Sequence, residues 1–431
     1  MVRRLASRLS SKEILAQAID ATRVQTAFPR SVQWIPYSVA QGYAGLALFW
    51  AQMDACFPGE GWDLRGRDHL ALAARDLERS EQPPLGIFAG VAGVAFAAWG
   101  LSRGGTRYQR LLTVLDNSII QRTVHLANRL KDADGCSVSD FDVISGLAGI
   151  GAYLLCRSDD RACVDCLYVV LQTLVGLLNG REDLPKWHTP GRLIGDEQTR
   201  DLYPGGWLNC GLAHGGPGPL ALLSLAHSKG ITVAELPEAI VRTADWLCDY
   251  RIDDRFGINW PTAVPLVYAE GEARQAIDHA RAATAGPSRC AWCYGSPGVG
   301  RALWLAGEAI DCQRYRDLGI SALEAVFRRP VADRSIDSPT FCHGVAGLLQ
   351  VTLRFANDLK NDNFRSAADA LVGQLLASYS SDFLLGWRNL EIDSHATDQP
   401  GFLDGAPGVA AVLLAAATNS TPTWDRIFLL S

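Results

Sequence analysis

One short pattern returns seven times along this chain: a G-x-x-G element followed at once by a run rich in Ala, Leu and Val. The pairs are Gly42/Gly45, Gly90/Gly93, Gly146/Gly149, Gly215/Gly218, Gly295/Gly298, Gly344/Gly347 and Gly405/Gly408, with successive copies 48 to 80 residues apart. A supersecondary unit repeated at such intervals cannot bury its apolar surface alone and must stack against its neighbours. Each interval leaves room for one helical hairpin. The runs after the glycines are apolar nearly all round, which predicts inner helices packed on every side.

Between them lies a second kind of segment with helical periodicity and one polar face. Leu111, Leu112, Leu115, Ile119, Val124 and Ala127 show it, as do Ile240, Val241, Ala244, Leu247 and Cys248. These suit an outer layer. Seven inner and seven outer helices predict an all-α fold, an (α/α)7 toroid, with each glycine marking the turn from an outer helix into an inner one. Pro219 fits the first turn of its helix, where no backbone N–H is needed. Two stretches break the helical pattern, about 179–209 and 253–267, and predict a small irregular or β-containing insertion. The 431 residues leave the domain count open on length alone, but the repeats favour a single toroid domain, 1–431, with that inserted lobe.

Hydrophobic residues make up 48% of the chain and charged ones 20%, the balance of a globule with a large core. The net charge of −6 and the lack of any long Lys/Arg run argue against a nucleic-acid partner. Polar residues interrupt Leu5 to Gln25, so no secretory signal is expected there. The apolar stretch from Gly408 to Thr418 is shorter than the roughly 20 residues that span a bilayer. A cytoplasmic protein is the expectation, and in such a compartment most of the eleven cysteines should be buried thiols. Cys163 and Cys166, set among Leu and Val, fit that description.

Three of the glycine elements are preceded by residues that core packing does not require: His214 before Gly215, Cys293 two places before Gly295, and Cys342-His343 before Gly344. Equivalent positions of a ring would bring them to one mouth. Two thiolates and one imidazole supply three of the four corners of a tetrahedral zinc site, and the open fourth corner is the mark of a catalytic ion. Two thiolates also neutralise the ion, so an incoming thiol keeps electron density on sulfur. Cys293, Cys342 and His343 are therefore expected to hold one Zn²⁺, with His214 beside them as an acid–base group. Taken singly, each cysteine is more readily a buried hydrophobe and each histidine a packed one; the shared register is what favours the site. Cys290 forms a C-x-x-C with Cys293 but lies outside the glycine register.

The A-H-G, W-C-Y-G, C-H-G-x-A-G and G-F-L-D-G motifs, spread between Gly42 and Gly408, resemble those of the LanC-like lanthionine cyclases of class I lanthipeptide biosynthesis. That resemblance implies an α/α toroid with a central zinc. It also implies Michael addition of peptide cysteine thiols to dehydroalanine or dehydrobutyrine, giving lanthionine or methyllanthionine rings. On it, His214 is the catalytic acid–base group, Asp142 the carboxylate that orients it, and Arg289 a cation near the enolate oxygen; Trp292 is expected to line the substrate cleft. A dehydrated precursor peptide is the implied substrate, with a separate dehydratase and an export transporter as partners that bring the chain to the membrane. Two other functions are open at this point: addition of glutathione to dehydrated residues, and a non-catalytic, zinc-stabilised scaffold that binds a peptide. Position 290 departs from the family pattern, with Cys where a relative carries an acidic residue, and the Gly216–Pro219 stretch is richer in proline than usual.

Overall fold

Each glycine pair sits where a loop folds back onto the start of its own helix. At Gly298 a Cβ would stand 2.1 Å from the carbonyl oxygen of Trp292, six residues upstream, and at Gly408 one would stand 2.1 Å from that of Phe402. The glycines thus admit backbone at the turn into each inner helix. Only Gly295 among the first glycines adds a left-handed φ, 82°, a conformation that a side chain would strain. After each pair the chain is helical at once, and Pro217 and Pro219 both fall within the first turn of the helix Pro217–Ser228.

The computed structural model describes residues 1–180, 184–268, 275–418 and 420–431. It divides into two units, 1–118 with 335–425, and 119–334 with 426–431. In the first unit, Val345–Leu359 packs on Ala406–Ala417, that helix on Tyr43–Cys56, and that in turn on Val91–Gly100. Asp362–Ala377, Val2–Ser10 and Trp62–Arg79 lie against this row, and each keeps a polar face. In the second unit, Leu147–Cys156, Pro217–Ser228 and Ser296–Ala309 form the row, backed by Arg161–Leu178, Leu236–Asp249 and Gln313–Arg328. The helix Gln109–Leu130 carries the chain from one unit into the other.

The inner helices owe their position to burial. All ten residues of Leu147–Cys156 are buried, and a buried Leu or Ile contributes about 1.5–3 kcal/mol relative to an exposed one. The outer helices bury one stripe, as the periodicity predicts, although Val241, expected on that stripe, is 38% exposed. Arg161–Leu178 is long and apolar enough to cross a bilayer. Its apolar side, from Cys163 to Leu178, is buried within the second unit.

The non-helical stretches hold short antiparallel strands. Thr189–Pro190, Gly206–Asn209, Ala263–Tyr268 and Gln275–Ile277 form one sheet in that order, with Trp207 opposite Pro265. Ile252–Asp254 pairs with Gly257–Asn259, and in the first unit Asn389–Leu390 pairs with Ala396–Thr397.

Adjoining glycine loops are hydrogen-bonded to one another, which fixes the register of their functional positions. In the first unit Cys342 N donates to Leu403 O, Leu403 N to Ala40 O and Ala40 N to Phe88 O, at 3.0–3.2 Å. In the second, Val143 N donates to Ala213 O and Ala213 N to Cys293 O, at 3.1 and 3.3 Å.

Candidate metal and acid–base centre

In the second unit the loop before Leu147–Cys156 begins at Asp142, which ends the short helix Val138–Phe141. One oxygen of Asp142 accepts from Ser145 N and Gly146 N at 2.7 and 2.9 Å. The other faces Nδ1 of His214 at 2.6 Å. Asp142 is buried, whereas the His214 side chain is 38% exposed. A carboxylate pinned by two amides holds the imidazole in one orientation, with Nδ1–H as donor and Nε2 left to exchange a proton. The Val143 N to Ala213 O bond ties the two loops together behind this pair.

Tyr294, immediately before Gly295, stands near the same histidine, with the ring centroids 6.4 Å apart. Its hydroxyl accepts from Asn209 Nδ2 at 3.0 Å, while Asn209 Oδ1 accepts from Gly211 N at 2.9 Å. Cys293 is 5% exposed and its carbonyl receives the Ala213 amide, so it adjoins the His214 loop. Arg289 is exposed, and among the described residues its side chain makes no hydrogen bond or ion pair.

Trp292 does not line a cleft. Its ring is fully buried, its indole N–H donates to Phe428 O at 3.1 Å, and it meets the Phe428 ring edge-on. It fastens the chain's last residues to the second unit and has no surface to give a substrate. Cys290 is likewise buried; its amide donates to Arg334 O at 2.8 Å. Burial pushes its thiol up to about 11, against the pull of Arg329 and Arg334, so it is protonated at neutral pH and is a poor nucleophile.

In the first unit Cys342 and His343 come together with a residue that sequence reasoning missed, Asp404. The ligand atoms of the three lie within 4.8 Å of one another. His343 Nδ1 is 3.6 Å from Asp404 Oδ1. Burial raises the Asp404 carboxyl above its ordinary range, and the neighbouring His343 opposes that rise. A thiol, an imidazole and a carboxylate suit zinc, and a buried carboxylate oxygen without a hydrogen-bond partner is the kind of group that an ion would satisfy. The signal was present in the sequence: Asp404 precedes Gly405 as His343 precedes Gly344 and His214 precedes Gly215. By contrast His69, outside the register, accepts the Trp50 indole N–H at 2.7 Å and is held down to about 4 by burial, a packing role.

The family profile described as "Lanthionine synthetase C-like protein" matches residues 33–429, so the chain belongs to the lanthionine synthetase C-like family. Among individual relatives, it is 27% identical over 330 residues to "Nisin biosynthesis protein NisC" of Lactococcus lactis subsp. lactis, covering 76% of this chain and 72% of that one. The solved structure of "Nisin cyclase" aligns over 97% of this chain and 96% of that one, with a TM-score of 0.78 and 22% identity. That likeness establishes the fold class as an α/α toroid with small sheet insertions.

Proposed function

We propose that this protein is a zinc-dependent lanthipeptide cyclase, acting in the cytoplasm on a dehydrated precursor peptide that a separate dehydratase supplies and a transporter exports. The observation that carries the reading is the pairing of two chemistries at one loop register: a Cys-His pair with ligand reach, and a histidine oriented by a buried carboxylate. Cys293, Cys342 and His343 hold the ion, within a catalytic domain that comprises the whole chain and its sheet-bearing insertion. The ion's contribution is to lower the pKa of a substrate thiol while leaving the sulfur nucleophilic.

The chain's own residues do the rest. Sulfur adds to the β-carbon of a dehydrated residue, the carbon–carbon double bond opens, and the electron pair moves toward the adjoining carbonyl. His214 Nε2 exchanges the proton that leaves sulfur and ends on the α-carbon, with Asp142 keeping Nδ1–H as the donor. Arg289 stabilises the enolate oxygen, a role taken from the family resemblance and supported only by a guanidinium without a partner among the described residues. Because every atom is retained, the product has the mass of the substrate.

The test is to incubate the protein with a dehydrated precursor peptide and count free thiols by alkylation and mass spectrometry. Thiols should disappear without a change in peptide mass. Ring closure no faster than in buffer defeats the proposal, and glutathione adducts in its place would mark the intermolecular reaction.

A further inference from the structure

The Asp404 carboxylate accepts no hydrogen bond among the described residues, whereas Asp398, which also has one unpartnered buried oxygen, still takes Arg388 on the other. Asp425 is gripped by Arg354 and Gln350, and Glu391 accepts from Thr26 Oγ1 and Ala27 N. Asp404 Oδ1 is buried with no hydrogen-bond partner among the described residues. Leaving a carboxylate oxygen in that state costs more than the typical hydrogen bond contributes, so native proteins seldom do it without reason.

Its surroundings supply a reason. Leu403 O receives both Phe341 N and Cys342 N, at 3.2 Å each, so the carbonyl before Asp404 is anchored on the amides of Phe341 and Cys342. The approach of Oδ1 to His343 Nδ1, 3.6 Å, is too long for a hydrogen bond. It is close to the span of about 3.4 Å that two ligands of one tetrahedral zinc adopt when each lies roughly 2.0–2.2 Å from the ion. The Cys342 sulfur is within 4.8 Å of both.

We infer that Asp404 is itself a ligand of the metal held by Cys342 and His343, filling the corner that the cysteine and histidine register leaves open. The inference rests on the metal reading proposed above and deepens it. A corner closed by a carboxylate at rest opens when that side chain swings away. Zinc prefers sulfur to a single carboxylate oxygen, so an arriving thiol can take the place.

The experiment uses the full chain, wild type beside Asp404→Asn and Asp404→Ala, with Cys342→Ala as reference. Zinc affinity is measured by competition with a chelating dye. The ligand field is read from the visible spectrum after Co²⁺ replaces zinc, and a thermal melt checks the fold. Asp404→Asn, which keeps the side chain's shape, carries the test should Asp404→Ala fail to fold. The expected result is zinc binding weakened about tenfold or more, with cobalt bands that move in both Asp404 variants. Unchanged affinity and unchanged bands overturn the inference alone, provided that Cys342→Ala loses the ion. Weakened affinity with unchanged bands also overturns it, because Asp404 would then act through His343. A wild type that takes up no zinc, or binds it as well as Cys342→Ala does, removes the metal reading and this inference with it.

Discussion

The loops of the second unit and those of the first are built on one plan, yet they leave their polar groups in opposite states. Around His214 the supporting polar groups are occupied: Asp142 takes two backbone amides and the imidazole, and Asn209 is bonded to Tyr294 and to Gly211. Around His343 the carboxylate of Asp404 lacks a hydrogen-bond partner among the described residues and lies within 4.8 Å of the His343 nitrogen and the Cys342 sulfur. A saturated network holds a proton carrier rigidly; an unsaturated one is suited to an ion. Under the proposed function the first set would serve orientation and proton transfer and the second metal retention, which predicts that the two can be damaged separately.

The largest effect should come from Cys342→Ala. Bound zinc should fall from one ion per chain to none, and cyclisation should drop to the uncatalysed rate, while the His214–Asp142 pair is untouched. Metal analysis beside the alkylation assay checks both; zinc retained in full would break the division of labour. Next is His214→Ala, for which loss of a positioned acid–base group should cost about 10²–10⁴-fold in rate. Zinc content should remain that of wild type. A His214→Ala protein that closes rings at the wild-type rate would instead favour a binding scaffold.

Much of this was legible in the residues because the repeat is local. A glycine pair followed by an all-apolar run dictates an inner helix wherever it occurs, and the seven copies were enough to expect the α/α architecture that the structural likeness establishes. His214 and Cys342-His343 stood out by register. Asp404 was overlooked because an acid before a glycine is ordinary in a turn, and only its nearness in space to Cys342 and His343 sets it apart. Trp292 was misjudged for the opposite reason: proximity to Cys293 in sequence suggested a cleft, but its neighbour in space is Phe428, 136 residues away along the chain. The link between His214 and Asp142 spans 72 residues and could be had from family resemblance alone.

The loop geometry itself offers a third test. Gly298→Ala would put a methyl 2.1 Å from Trp292 O and 3.0 Å from Leu212 Cβ, so the loop bearing Cys293 and Tyr294 would have to move. We expect a loss of about 3 kcal/mol in stability, read as a lower denaturant midpoint. Gly373, on the outer helix Asp362–Ala377, has nothing within 4 Å of its missing Cβ, and alanine there should add about 0.5–1 kcal/mol. Equal effects at the two sites would mean that the glycine pairs are not what shapes these loops.

The smallest effect on the chemistry belongs to Asp142→Asn. The amide oxygen can keep the bonds from Ser145 N and Gly146 N, so the fold and the zinc content should hold. Its NH₂ would then face His214 Nδ1, which must become an acceptor, and the proton shifts to Nε2. The nitrogen meant to receive a proton would start out carrying one. We expect a fall of about 10–10²-fold in cyclisation rate with a melting temperature near wild type. A large drop in melting temperature with little loss of rate would show that Asp142 serves the loop and not the imidazole, and the saturated half of the comparison would then be structural only.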